Sequence, residues 1–378
     1  MGFSTAILIL AFLHAGAGIW AARPATSLRE AVLRSVGGAA LTTVGAVIAF
    51  EIATEGFDFF AAIHVLYLAA CVTVPAIATA GWVARLRGSP GYLAGRRPAV
   101  LLTAALVPAM LGVYATHIEP YWLRVDRVEL TVTGLDAEIR LGVLADVQTT
   151  DIGEYEIEAL ETLLAESPDV LLVPGDLWQT SDADIEQRWR VWRDYVERMT
   201  AAVDHVVIVE GDTDDAGWLR LVVDGTGAHL LVDEVVELDV DGTTVMVGGI
   251  PNFTDRLTTG GERVVDRLGA ASEDVVTILL SHRPDVAELD ATGDAAIDLV
   301  VAGHTHGGQI QIPFVGPLVT FSDVPRSVAA GGLHDIGGTT LYVSTGVGLE
   351  RGHAPQVRFG ARPSVGVIDV SGSGPGDG

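Results

Sequence analysis

Between residues 139 and 304, five short apolar runs each finish in a carboxylate or a histidine, and this recurrence narrows the possible folds more than any other feature of the chain. The runs cover 139–146, 169–176, 205–212, 275–282 and 297–304, and end in Asp146, Asp176, Asp212, His282 and His304. Val, Ile and Leu dominate them, which is the composition of buried strands. Between them, 153–167 and 184–202 space their apolar residues at helical intervals. The order strand, helix, strand, helix predicts an α/β domain. In open α/β sheets the functional crevice lies beyond the carboxyl ends of the strands. One Asp there is ordinary turn chemistry. Five such ends read instead as a ligand set. His306, two residues past His304, lies in the stretch Gly303-His304-Thr305-His306-Gly307-Gly308-Gln309. An HxH pair alone is weak motif evidence, but a glycine-flanked turn can aim both rings into one cleft. Carboxylates and imidazoles without thiolates suit Mn, Fe or Zn rather than Ca. The number of ligands points to two ions, held by a bridging carboxylate about 3.5–4 Å apart. Cys71 is the sole cysteine and lies in an apolar run, so neither a disulfide within the chain nor a thiolate metal site is available.

The first 118 residues have a different composition. Uncharged apolar runs occupy 1–22, 35–50, 59–84 and 98–116. A membrane span needs about 20 such residues. Four spanning helices are predicted, the second reaching that length only by taking in residues 51–53. The first run lacks the basic flank of a cleaved signal peptide. Arg23, Arg29 and Arg34 separate the first and second runs, and Arg85, Arg87, Arg96 and Arg97 separate the third and fourth. The positive-inside rule puts both arginine loops in the cytoplasm, which leaves the large C-terminal domain outside. His14, His64 and His117 are read as packing or interfacial residues. The chain has no lysine, and its net charge is −26. That acidity excludes nucleic acid as a partner, because binding it needs a basic footprint.

At this point the residues resemble the calcineurin-like metallophosphoesterases, and in particular their membrane-anchored bacterial and archaeal branch. The family pattern reads D-x-H, G-D, G-N-H-[DE], H and G-H-x-H. Here the corresponding stretches are Asp146-Val147-Gln148, Gly175-Asp176, Gly211-Asp212-Thr213-Asp214, His282 and Gly303-His304-Thr305-His306. SHRPD at 281–285, GHTHGGQ at 303–309 and the glycine-rich stretch 346–359 are similar to the membrane-anchored branch. The resemblance covers roughly residues 130–370. It implies a β-sandwich flanked by helices over 125–370, while composition predicts a transmembrane helical part at 1–118 before it and a disordered acidic tail at 371–378 after it. It implies two divalent ions, Mn, Fe or Zn. Asp146, Gln148, Asp176 and His306 would hold the first. Asp212, His282 and His304 would hold the second, with Asp176 bridging.

The chain departs from the family pattern in three places. Gln148 offers a carbonyl oxygen in place of an imidazole. Asp212 replaces a neutral asparagine with an anion, which favours a hard metal but makes the site more negative toward phosphate. Thr213 stands where the family has a histidine that assists the leaving group, and Thr cannot act as a general acid near neutral pH. His353 in the glycine-rich stretch is a candidate substitute, and Asp214 keeps the family's acidic position. The expected reaction is attack of a metal-bound hydroxide on a phosphomonoester or phosphodiester. The expected partners are that substrate, plausibly lipid-linked, and the membrane. The catalytic candidates are Asp176, Asp214 and His353. The alternative is a degenerate member that binds metal or a phosphate ligand without efficient turnover. His205, His229 and His334 are read as structural, and Trp178 as a core residue.

Overall fold

Branched residues fill the runs that end in ligands, and in the computed structural model each of those runs contains a short, largely buried strand. The structure describes residues 59–88, 97–251, 258–285, 289–290, 292 and 295–372, with a few isolated positions before residue 39. These fall into two units. Residues 1–118 and 350–356 form one, and 119–349 and 357–378 form the other.

In the first unit, α1 (Phe59–Leu68) runs through a π-helical turn at Ala69–Thr73 into α2 (Val74–Leu86). Pro75 explains the wide turn, because its ring would clash with the carbonyl one α-turn earlier. α3 (Pro98–Val113) likewise widens into a π-turn at Tyr114–Ile118. The two continuous helices, Phe59–Leu86 and Pro98–Tyr121, have mean hydropathies of 2.0 and 1.9 and are each long and apolar enough to cross a membrane. Fewer than a quarter of the residues in either apolar window are buried. At Gly112 the helices approach so closely that an added Cβ would lie 3.0 Å from that of Cys71. The expected first and second spans lie outside the described residues, and so does His14.

The second unit begins with β1 (Arg124–Val132) and β2 (Glu138–Val143). It continues through α4 (Glu154–Leu164), β3 (Val170–Val173), α5 (Asp182–Ala202), β4 (His205–Ile208), α6 (Ala216–Val223) and β5 (His229–Leu230). β6 (Glu234–Val240) and β7 (Thr243–Ile250) form a hairpin, followed by α7 (Thr259–Gly269), β8 (Val276–Ser281) and β9 (Leu299–Ala302). A small hairpin of β10 (Gln311–Ile312) and β11 (Gly316–Pro317) precedes α8 (Arg326–Ala329), β12 (Gly332–Ile336), β13 (Thr339–Val343) and β14 (Ser364–Gly372). Side-chain caps start the helices. Ser181 accepts from the Asp184 amide, Asp215 from the amides of Gly217 and Trp218, and Thr258 from that of Gly261. The Ser181 cap starts α5 two residues before the predicted 184.

One six-stranded sheet has the order β1-β14-β2-β3-β4-β5, and the other β12-β13-β9-β8-β7-β6. The strands that carry ligands pair in parallel inside each sheet, and antiparallel pairs occur at β14–β2, β12–β13 and β6–β7. Leu141, Val143, Leu172 and Val207 of the first sheet pack with Val245, Ile278, Leu280 and Val301 of the second, forming the core between them. A second core lies under α4, α5 and α6, and a third under α7 and α8. The arrangement is the helix-flanked sandwich that the resemblance implies. The expected tail disorder begins too early, because β14 runs through Ser371 and Gly372 in register with Thr131 and Val132 of β1. Residues 373–378 lie outside the described residues.

Candidate metal centre

The strands stop short of their ligands, at Val143, Val173, Ile208, Ser281 and Ala302, so Asp146, Asp176, Asp212, His282 and His304 follow by one to four residues. Left-handed backbone at Asp146 (φ 47°), Gln148 (35°), Asp176 (54°), His304 (67°) and His306 (48°) turns these short loops back over the sheet ends. Non-glycine residues rarely hold such angles, and clusters of them mark functional sites. The loops also tie to one another. The amide of Asp146 donates to the Gly175 carbonyl, and that of Gln148 to the Asp176 carbonyl. The amide of His304 donates to Asp146 Oδ1 at 2.9 Å. Gly303 has to be glycine, because an added Cβ would lie 2.6 Å from Asp146 Oδ2.

Two ligand groups result. Asp146, Asp176 and His282 each offer an atom within 4.8 Å of the others, and so do Asp212, His282 and His304. His282 therefore belongs to both groups. Its Nδ1 donates to the Pro174 carbonyl at 2.7 Å. That bond fixes the tautomer and leaves a lone pair on Nε2. Nε2 lies 3.4 Å from Asp176 Oδ2 and 3.8 Å from Asp212 Oδ2, fully buried and without a hydrogen bond. Burial keeps the imidazole pKa below its ordinary value, so the ring is neutral. A lone pair facing two carboxylates is repulsive unless a cation lies among them. Asp146 Oδ2 is likewise buried without a partner. Both orphaned atoms fit metal coordination. Burial also pushes the carboxyls of Asp146 and Asp176 up to about 7.

His304 Nδ1 lies 2.7 Å from Asp212 Oδ2, and its Nε2 donates to the Phe321 carbonyl at 3.1 Å. Burial pulls its pKa down, but the Asp212 carboxylate outweighs this and the net shift is upward. Asp212 is the exposed member of the site and its pKa is lowered; its burial alone would raise it, and the facing histidines reverse that. His306 is buried beside the set but falls in neither group. Burial, then the Arg358 guanidinium 3.5 Å from its Nδ1, hold it neutral. The side-chain amide of Gln148, two residues past Asp146, is buried and donates to Gln179 Oε1 at 3.3 Å.

Asp214 does not face the cleft. Its Oδ2 accepts from the amides of Asp176 (2.8 Å) and Gly211 (3.1 Å), and its Oδ1 from those of Leu177 (2.9 Å) and Trp178 (3.4 Å). The carboxylate thus braces the loop of Asp176 against the loop of Asp212. Burial, and after it the neighbouring Asp176 carboxylate, push its pKa up to about 8, and the amides of Gly211, Trp178 and Asp176 act in the opposite direction. Thr213 donates its hydroxyl to the Trp178 carbonyl and its amide to Asp176 Oδ1, so its one side-chain proton is engaged. His353 belongs to neither ligand group, and its segment 350–356 clusters with the helical unit, where its carbonyl lies 3.2 Å from His64 Nδ1. Trp178 is buried against Trp192, as expected of a core residue. His205 and His334 bond to the carbonyls of Asp239 and Gly331, which are structural roles.

Two arginines went unread in the sequence. Arg358 is wholly buried and donates to the carbonyls of Thr345, Gly346, Gly348, Ala361 and His306. It thereby fixes the loop after β13 to the loop of His306. Its position inside the glycine-rich stretch was the available signal. Arg283 follows His282, donates to the Phe321 carbonyl and sets a positive charge near Asp212 and His304. The SHRPD stretch held that signal.

Residues 139–308 match the sequence model of the family described as calcineurin-like phosphoesterase. The uncharacterized metallophosphoesterase YkuE of Bacillus subtilis is 26% identical over 270 residues, 68% of this chain and 88% of that protein. The phosphodiesterase YaeI of Escherichia coli is 26% identical over 287 residues, 73% of this chain and 98% of that protein. An uncharacterized metallophosphoesterase of Aquifex aeolicus is 26% identical over 286 residues, 71% of this chain and 99% of that protein. The match runs from β2 through the GHTH stretch, the segment that carries every member of both ligand groups, and residues 139–308 therefore form a calcineurin-like phosphoesterase domain.

Proposed function

We propose that the chain is a membrane-anchored, metal-dependent phosphoesterase acting on a phosphomonoester or phosphodiester. One observation carries the reading: the neutral, fully buried His282, whose bare Nε2 points between the carboxylates of Asp176 and Asp212. Asp146, Gln148, Asp176 and His306 would hold one ion of Mn, Fe or Zn, and Asp212, His282 and His304 a second, with Asp176 between. When bound, such ions acidify water and neutralise charge on a phosphoryl group. The chain's own residues do the rest. Asp214 and the His282–Pro174 bond hold the ligands in place before any substrate arrives. Arg283 supplies a cation beside Asp212 that can donate to phosphoryl oxygens and offset the anionic wall.

The test is metal content together with turnover. The purified chain is expected to hold about two ions and to hydrolyse generic phosphoesters in the presence of Mn or Zn. Asp176→Ala and His304→Ala are each expected to abolish turnover. Unchanged activity in either variant overturns the reading.

The engaged hydroxyl of Thr213 favours a second reading, a member that binds metal or a phosphate ligand but turns over poorly. High native turnover of substrates with poor leaving groups excludes it.

Two helices of span length, mostly unburied, support the anchoring. The arginines of the loops before Ser35 and between residues 85 and 97 support an extracytoplasmic phosphoesterase domain. Protease digestion of intact cells and of permeabilised cells tests the orientation. A domain cleaved only after permeabilisation contradicts it.

A further inference from the structure

The hairpin that follows the GHTH stretch is built unlike the rest of its unit. Residues 119–378 carry 45 acids and 16 arginines, yet 307–322 carry no charge at all. Ile312, Val315, Leu318 and Phe321 are exposed, and Phe314 at the tip is 109% exposed. Phe314 also holds a left-handed backbone, φ 68°, a conformation that costs a bulky residue energy and is here repaid by no burial. A contiguous apolar tip on so acidic a surface marks a contact site.

The base of the hairpin is firmly held. The Gln311 amide donates to the Phe359 carbonyl at 2.7 Å, and the Phe359 amide to the Gln309 carbonyl at 2.8 Å. The Phe321 carbonyl, at the far end, accepts from His304 Nε2 and from Arg283 Nη2. One end of the hairpin therefore holds a candidate metal ligand in place.

What the tip meets follows from the neighbouring chain. Three residues beyond Phe359, Arg362 donates to the carbonyls of Trp122 and Leu123 and stacks 4.2 Å over the Trp122 indole. Three residues reach at most about 11 Å. Trp122 directly follows the last residue of the apolar helix Pro98–Tyr121, and Tyr121 and Trp122 are both exposed. An aromatic pair at the end of a spanning helix sits at the headgroup level of a bilayer. The hairpin base is thus linked, within its own unit, through Phe359 and Arg362 to Trp122.

We infer that hairpin 310–321 docks on the surface of a lipid bilayer, with Phe314 and Val315 at headgroup depth, and so presents the metal centre to lipid-borne phosphates. The inference rests on the metallophosphoesterase reading for its second half and on the hairpin alone for its first. The unit is strongly anionic, so apolar burial drives the contact and salt does not release it.

The test uses the full chain in phosphatidylcholine vesicles, with an environment-sensitive fluorophore on Phe314→Cys in a Cys71→Ser background. Quenching by brominated lipid and protection from aqueous iodide are expected, unchanged at high salt. Iodide quenching without lipid quenching overturns the docking. Protection from both quenchers points to a second copy or a protein partner and overturns it as well. In a second arm, phosphatidic acid in the same vesicles competes with a soluble chromogenic phosphoester. The double variant Phe314→Ser, Val315→Ser is expected to weaken that competition about tenfold or more while leaving turnover of the soluble ester unchanged. Equal competition in parent and variant refutes the presentation to lipid phosphate. A parent chain that hydrolyses no soluble ester refutes the metallophosphoesterase reading instead, and the fluorescence result stands apart from it.

Discussion

Replacing Asp214 by Asn exchanges one carboxyl oxygen for an NH2 group at almost no change in volume, which makes it a direct test of the brace between the two ligand loops. The carboxylate accepts four backbone amides, two on each oxygen. An asparagine keeps one acceptor oxygen and turns an NH2 group toward the other two amides, so donors face donors. Each buried amide left without an acceptor costs about 1–3 kcal/mol, so stranding two costs about 2–6 kcal/mol. In a domain of this size each kcal/mol moves Tm by about 2–4 °C, which puts the expected fall near 10 °C or more. The amides that lose their acceptor belong either to Asp176 and Gly211 or to Leu177 and Trp178. Either way a loop carrying a ligand is released. Thermal unfolding followed by tryptophan fluorescence measures the stability, and metal content of the purified variant measures the site. A variant with parental Tm and parental metal content would refute the claim that this carboxylate sets the ligand geometry. Asp214→Ala strands all four amides and is expected to be worse than Asp214→Asn, and the reverse order would contradict the reasoning equally.

Other expectations follow from the same geometry. Burial pushes Asp146 and Asp176 up to about 7, so these carboxyls keep protons that the unfolded chain has released above about pH 4. The metal-free domain therefore loses stability as pH rises from about 4 toward 7, and metal uptake in that window releases protons. Calorimetric titration of metal in buffers of differing ionisation heat checks this, and heats that do not depend on the buffer contradict it. Thr213→His is expected to raise turnover of substrates with poor leaving groups by about 10²–10⁴-fold and to change activated esters far less. Equal gains on both would show that the new ring does not act on the leaving group. Gly303→Ala puts a methyl group 2.6 Å from Asp146 Oδ2. Metal content should fall while the far-ultraviolet circular dichroism stays parental, and full metal loading would show that the loop yields.

The ligand-bearing strands were legible because each joins a buried apolar run to a polar end, a pattern that burial on both faces imposes on parallel strands. The helices between them were legible from spacing. The sandwich itself was not. It depends on which strands share a sheet, and β14 lies between β1 and β2 although more than 220 residues separate it from β2. The β6–β7 hairpin had a readable signal in Asp241-Gly242, both with left-handed backbone, and so did the β12–β13 hairpin in Gly337-Gly338. In the site, residue types at strand ends named the ligands, but His282 was assigned to one ion and the geometry puts it in both groups. Position alone makes Asp214 a catalytic candidate at the family's acidic position. Its work as a brace is invisible without the loop backbone. Arg358 shows the same limit from the other side, since no local pattern announces a guanidinium that bonds to carbonyls of distant loops.

The place of β14 bears on how the protein is made. β1 pairs with β14 alone among the described strands, and β2 meets β14 on its other edge. Until residues 364–372 leave the ribosome, β1 has no neighbour, and the segment with Arg358 that ties the His306 loop is missing as well. The N-terminal helices, by contrast, are synthesised first. During translation the second unit waits as an unfinished sheet with two open edges. Such edges attract other strands. The acidity of this half, one carboxylate in roughly every six residues, would then guard nascent chains against one another during the interval before the final strand arrives.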